Sequence, residues 1–380
     1  MRRHLAAIVV LAIATAACAG DAGDQSTTSA SAAATSTSSI TTTTAAASTS
    51  TTTTAVVETT TTTTTEPPRS RFDGTVAQML PTGPEDWEDT FIDPGRVVFH
   101  DGLFHSFYNG IDTWPAQVKV GYATSSDGKR WEKQSSEWLF SGENLDWSET
   151  SIFVHDAMVL DDGTWAVYFS SVASSTNFAS GVIGMATAPN AAGPWKVIAE
   201  PILETGPEGS WDEDGVVDPS IVRVGDQLWM YYDGNLRGRR AIGLAISEDG
   251  FSWTKHDDPE TEDVSDPLLV AGEDGDWDDT GVYDPQVVVT DEGFVMSYFV
   301  RRPGTSAPVY EAGLAYSDDG LAWEKDPDGA YLSSQRQGFG GIFLSALVHH
   351  DDEYILYFDG QRASGGTTAF YVSHEGPLRP

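Results

Sequence analysis

The chain has 380 residues, with 21 basic against 57 acidic side chains, a formal net charge of −36 and a single cysteine. So large an acidic excess leaves no broad basic surface to displace phosphate counterions, which excludes a non-specific nucleic-acid-binding protein and otherwise speaks of solubility. One cysteine excludes a disulfide framework, so whatever folds must do so by packing and hydrogen bonding.

Met1 to His4 form a basic n-region, residues 5–14 an apolar h-region, and Thr15-Ala16-Ala17 leads into Cys18. The apolar run is too short to span a bilayer, and the pattern reads as an export signal over residues 1–17. It resembles a bacterial lipoprotein signal, which implies lipidation of Cys18 and attachment to the extracellular face of the cell membrane. Thr15 departs from the Leu usual three residues before that Cys, leaving simple secretion as the alternative. Residues 18–71 are mostly Ser, Thr and Ala. Such a stretch has too little apolar area to offset the entropy of ordering it, which predicts a disordered stalk, a candidate for O-glycosylation.

From there to the C-terminus one pattern returns about every 60 residues. The first copy reads FIDPGRVV (91–98), FHSFYNG (104–110) and VGYATSSDGKRWEK (120–133). VHDAMVL, WAVYFSS and IGMATAPNAAGPWKV follow, then VVDPSIVRV, LWMYYDG and IGLAISEDGFSWTK, then VYDPQVVV, FVMSYFV and GLAYSDDGLAWEK. A divergent fifth copy runs IFLSALVHH, YILYFDG and AFYVSHEGPL. Apolar, β-branched and aromatic runs between turn residues predict four-stranded antiparallel units, and no stretch after residue 70 has helical periodicity. The expected fold is all-β: a five-bladed β-propeller over residues 72–380. The fifth copy stops where its outermost strand would begin, and FDGTVAQMLPTGPEDW (72–87) parallels WKVIAEPILETGPEGSW (195–211). Residues 72–80 are therefore expected to pair onto the last blade and close the ring, removing two exposed sheet edges.

Alternating strand direction assigns each turn to one end of the units. The SSDGKRW, SEDGFSW and SDDGLAW turns fall on the face away from the channel mouth, where Asp caps the turn and Trp131, Trp253 and Trp323 fill the gap to the next strand. They resemble the Asp-box of sialidases with one residue fewer between Asp and Gly, and no arginine triad accompanies them. On the opposite face Asp93, Asp156, Asp218 and Asp284 head four inner strands at positions read as equivalent, the fifth offering Leu344 or Ser345. Carboxylates brought together there would raise at least one pKa, as glycosidic cleavage requires. Asp-Pro at a strand start is also ordinary turn chemistry, and four copies cannot all be catalytic. Around this ring Arg237, Arg239, Arg240, Arg301, Arg302 and Arg362 fall in loops between second and third strands, where they either hold hydroxyl-rich or carboxylated sugars or neutralise nearby Asp. Trp114 lies in the first such loop and could stack on a sugar ring; Trp87, Trp147, Trp211 and Trp277 recur in the joins between units and are expected to pack.

With its Asp-Pro-headed strands, Gly-x-Ala-x-Ser-x-Asp-Gly-x-x-Trp turns and WDEDGVVDP and WDDTGVYDP joins, the chain resembles the five-bladed propeller glycoside hydrolases: family 43 arabinanases and xylosidases, families 32 and 68, and family 130. The family 43 pattern implies Asp93 as base and Asp156 as pKa tuner, with His155 beside it. Its third member, a Glu acid, is not matched: Asp218 stands there, which makes Glu213 and Glu311 the substitutes. The resemblance implies a carbohydrate-acting hydrolase at the cell surface, expected to be monomeric, with Asp284, His155, Trp114 and the mouth arginines binding substrate. The alternative is a non-catalytic glycan-binding lipoprotein. DGDWDDTG (274–281) fails as an EF-hand, because its sixth position is Asp279 and its twelfth Pro285. No cofactor is expected, His155 being the one pointer to a central calcium ion as in related propellers.

Overall fold

The computed structural model describes Phe72 and residues 74–379, apart from 114–116, 144, 148–150, 173–178, 305–307 and 363–365. Cys18, the export segment, the stalk and Trp114 lie outside the described residues. Within them the chain is nearly all β, with one helical turn at Ser334–Gln337 and one 3-10 turn at Asp86–Glu88.

Five first strands, Phe91–His100, Ser151–Val159, Gly215–Val224, Tyr283–Thr290 and Gly341–His350, each pair antiparallel with a second. The second strands are Leu103–Ile111, Trp165–Val172, Gln227–Leu236, Gly293–Arg302 and Glu353–Gln361, and each pairs in turn with a third: Lys119–Ser125, Ile183–Ala188, Arg239–Ser247, Val309–Ser317 and Thr367–Glu375. In units one to four a short fourth strand follows the turn, at Glu132–Lys133, Lys196–Val197, Thr254–Lys255 and Glu324–Lys325. In the fifth, Ala77–Leu80 from ahead of unit one pairs on the third strand, with Ala77 opposite Tyr371. The first strands neighbour one another in cyclic order, the fifth against the first.

The repeated residues explain how neighbouring units hold together. In the three Ser-x-Asp-Gly turns the Asp127, Asp249 and Asp319 carboxylates cap the amides that follow, and Trp131, Trp253 and Trp323 Nε1 donate to the Gly128, Gly250 and Gly320 carbonyls at 3.1 Å. The same carbonyls accept a tyrosine hydroxyl from the preceding unit: Tyr357 on Gly128 at 2.7 Å, Tyr168 on Gly250 at 3.1 Å and Tyr231 on Gly320 at 2.9 Å. Where the turn departs from the pattern, the partner changes. Unit two turns through the cis Gly193–Pro194 bond, and unit one presents Phe107, which meets Trp195 edge-on at 5.3 Å.

The join residues follow a second rule. Trp87, Trp147 and Trp211 stack on Tyr108, Phe169 and Tyr232, and Trp277 tilts against Tyr298. Gly184, Gly243 and Gly313 lie directly beneath Trp147, Trp211 and Trp277, where an added Cβ would sit 2.4, 2.5 and 2.6 Å from an indole carbon. The acid after the Trp is buried in three units: Glu88, Asp212 and Asp278 accept from the Tyr108, Tyr232 and Tyr298 hydroxyls and pair with Lys133, Lys255 and Lys325 at 2.6, 2.5 and 2.6 Å. The WDEDG and WDDTG joins thus hold buried, compensated charge, and their Trp residues are packing elements.

Candidate active site

Each first strand slips register once: between Asp93 and Arg96, Val154 and Asp156, Val217 and Ser220, Tyr283 and Gln286, and Leu344 and Ala346. Such bulges re-aim side chains, and they correct the equivalence read from sequence. Asp93 pairs with Asn109 ahead of the bulge, Asp218 and Asp284 lie inside it at φ +52°, and Asp156 pairs with Tyr168 beyond it. The bulge falls at a different offset from the Asp in different units, which residue spacing does not reveal.

The displacement separates two layers. In one of them, Arg96 Nε lies 3.1 Å from Asp156 Oδ1 and its Nη1 donates to Gln286 Oε1 at 3.3 Å, so one guanidinium links units one, two and four. Asp156, 1 % exposed, also accepts the amides of Ala157 and, across the unit boundary, Ile221. Burial pushes its carboxyl up to about 6 against the pull of Arg96 and these amides. Its contacts are those of a staple between units two and three.

The second layer gathers Asp93, Asp218, Asp284, His155 and a residue the sequence reading passed over, Asp359. Asp93 accepts the Gly95 amide at 2.6 Å and the Ser345 hydroxyl at 3.0 Å; burial raises its pKa, and these bonds and His155 oppose the rise. Asp218 lies 3.2 Å from His155 Nε2 and accepts from Arg240 Nη2 at 3.0 Å. Asp284 is pushed well above the carboxylate range by burial and then by the charges of Asp218 and Asp93, with Gln286 Nε2 at 3.1 Å in partial compensation. Asp359, 1 % exposed, meets no hydrogen-bond donor at good geometry among the described residues; burial, Asp93 and Asp284 raise it far above its ordinary value. It lies near the end of the second strand of unit five, as Asn109 and Asp233 do in theirs, within the recurring aromatic-Asn/Asp-Gly triplets YNG, YDG and FDG. That triplet was the available signal, and it had been read only as strand.

Of the remaining candidates, Arg240 joins this cluster through Asp218. Glu311 pairs with Arg302, whose Nε lies at 2.7 Å, and Glu213 Oε2 accepts the Gly209 amide at 2.7 Å within its own loop. Arg240 pairs with fully buried Asp233 as well as Asp218, and its guanidinium lies 4.1 Å from the centre of the Tyr283 ring. Arg301 lies over Tyr310 and Arg362 over Phe370, while Arg237 and Arg239 are exposed. Among the described residues no group of three or more His, Cys, Asp or Glu is arranged to hold a metal ion.

Residues 87–272 match the family described as "Glycosyl hydrolases family 32 N-terminal domain". Uncharacterized proteins from two strains of Mycobacterium tuberculosis are 27 % identical over 238 residues, 60 % of this chain and 75 % of theirs. Among solved structures, a glycosyl hydrolase from Bacteroides ovatus superposes with TM-score 0.58 at 20 % identity over 77 % of this chain and 86 % of its own. A family 117 glycoside hydrolase of Zobellia galactanivorans does so with TM-score 0.58 at 16 % identity over 80 % of this chain and 92 % of its own. A structure described with the family 130 mannoside phosphorylases, which contain hydrolases of β-1,2 mannosidic linkages in Candida mannan, gives TM-score 0.58 at 20 % identity over 77 % of this chain and 86 % of its own. Residues 87–272 carry the sequence pattern of the family 32 N-terminal domain, and the chain resembles, in that sequence and in its nearly all-β fold, the propeller glycoside hydrolases.

Proposed function

We propose that the chain is an exported glycoside hydrolase acting on oligo- or polysaccharides, its five units the blades of a closed propeller and its carboxylates clustered at one mouth. The ring reading is supported by the cyclic order of the first strands, the Tyr357 hydroxyl on the Gly128 carbonyl, and Ala77–Leu80 on the fifth unit. The export signal and Cys18 support a lipid-anchored position on the extracellular face of the membrane.

Glycosidic cleavage needs one carboxyl that holds its proton and one that does not. The observation that carries the hydrolase reading is the gathering of Asp93, Asp218 and Asp284 at one place, with His155 and Arg240 on Asp218, and with burial and Asp218 raising the Asp284 carboxyl well above its ordinary range. In this reading Asp284 donates its proton to the leaving oxygen as the glycosidic C–O bond breaks, Asp93 as base takes a proton from the water that bonds to the anomeric carbon, and Asp218 supplies the charge that favours a protonated Asp284. Asp156 ties unit two to unit three through the Ile221 amide.

One observation favours the alternative, a glycan-binding protein without turnover: the two glutamates that could replace the family 43 acid are engaged elsewhere, Glu311 by Arg302 and Glu213 by Gly209. Screening the protein on arabinan, xylan, fructan and mannosides beside Asp93→Asn and Asp284→Asn separates the two. Hydrolysis by the unaltered chain and its loss in both variants supports the enzyme; glycan binding by all three without turnover supports the alternative.

A further inference from the structure

Away from the carboxylates, a cleft of about 360 Å³ opens between units one and two, lined by Trp138, Trp195, Tyr122, Gln134, Ser135 and Glu137. Both of its walls are places where the chain leaves its own repeat. One wall is the Asn190–Trp195 turn of unit two, which runs Asn-Ala-Ala-Gly-Pro-Trp instead of Ser-x-Asp-Gly-x-x-Trp. The other is Ser135-Ser136-Glu137-Trp138, where the corresponding segments of units three and four, residues 256–266 and 326–331, carry no Trp. Trp138 is 42 % exposed, so its indole is not there to fill a core. It is nevertheless held in orientation: Lys119 Nζ lies 4.6 Å from its ring centre, and Trp87 meets it at 6.3 Å and 68°. The loop that carries it is fixed by the Glu137 amide, which donates to Ser135 Oγ at 2.9 Å.

A pre-oriented aromatic surface beside an amide, a hydroxyl and a carboxylate in a cleft of this size suits the apolar C–H face and hydroxyl rim of a sugar ring. We propose that this cleft is a second carbohydrate site, which holds a neutral glycan chain on the protein's flank by stacking on Trp138, with hydrogen bonds to Gln134, Ser135 and Glu137. It contributes retention of polymer and takes no part in bond cleavage.

The test is native affinity electrophoresis of the full-length chain through gels containing yeast mannan, inulin or arabinan, with Trp138→Ala and Trp138→Phe run alongside. At least one polymer is expected to retard the unaltered chain. Trp138→Ala should raise the apparent dissociation constant about tenfold, one stacked ring's worth, with Trp138→Phe between. Thermal melting checks that Trp138→Ala, a surface change, stays folded. Retardation of Trp138→Ala equal to that of the unaltered chain overturns the proposal, as does the absence of retardation by all three polymers. Because retardation needs no bond cleavage and is read at Trp138, failure of the hydrolase reading leaves this readout intact.

Discussion

Arg240 Nη2 donates to Asp218 Oδ2 at 3.0 Å while the same guanidinium pairs with Asp233, a carboxylate with no exposed surface. One cation from a third strand therefore compensates two acids from the neighbouring strands of its own unit, and the Tyr283 ring of the next unit flanks it. Removing one partner of a buried pair strands the other charge. Arg240→Met should cost about 3 kcal/mol in urea unfolding, and adding Asp233→Asn should recover part of it. A loss below about 0.5 kcal/mol, the scale of an exposed pair, would mean that solvent already screens these charges.

The Asp359 carboxyl provides a test by pH. Its folded pKa is raised above the ordinary 3.8, so the stability it contributes is full below that value and is lost as pH rises through the folded pKa. Asn mimics the protonated acid and cannot ionise. The stability of Asp359→Asn minus that of the unaltered chain should therefore shift in the variant's favour from about pH 4 upward, measured by urea unfolding at stepped pH. Asp249, Asp319 and Glu353 have lowered pKa values and lose stability in the opposite direction, as pH falls. They are common to both proteins and cancel in the difference. A difference that stays flat with pH would place Asp359 in water.

The repeat was legible because turn chemistry and strand alternation are local: an Asp that caps a turn and a Trp that covers it must lie a fixed number of residues apart. The packing role of Trp87, Trp211 and Trp277 was legible for the same reason. The layering of the carboxylates was not. Asp93 and Asp156 each head a conspicuous strand, yet the bulge puts one in the cluster with Asp284 and the other on Arg96. Bulge position depends on how two strands pair, a non-local property. Asp359 is hard to read because its strand reads as core: it follows Tyr357 and Phe358, both without exposed surface, and the triplet that marks it becomes a site signal only once its nearness to Asp93 is known.

The tyrosine ties between units make a graded prediction. Each Gly carbonyl they reach also accepts a Trp Nε1 at 3.1 Å, so deleting the hydroxyl does not leave the carbonyl bare. Tyr357→Phe, Tyr168→Phe and Tyr231→Phe should each cost about 1 kcal/mol, the net worth of one hydrogen bond, in thermal or urea unfolding. Phe107→Tyr should gain nothing, since unit two offers Trp195 in place of a Ser-x-Asp-Gly turn. An equal gain there would mean that the hydroxyl acts through something other than the Gly carbonyl.

The strand Ala77–Leu80 joins the two ends of the repeat array, and its inward residues show what it is worth. Met79 is 5 % and Leu80 1 % exposed, and both lie in one cluster with Ile92 and Tyr108 of unit one and Ala346, Ile355 and Tyr357 of unit five. Leu80 thus covers a seam between sequence-distant units, where neighbouring backbone on both sides limits collapse into a vacated volume. Leu80→Ala should cost about 3 kcal/mol through lost burial and the cavity left behind, against well under 1 kcal/mol for Gln78→Ala, which faces outward on the same strand. Should Leu80→Ala and Gln78→Ala unfold at the same denaturant concentration as the unaltered chain, the strand would be an appendage to the fifth unit and the seam would be held by the first strands and the Tyr357 hydroxyl alone.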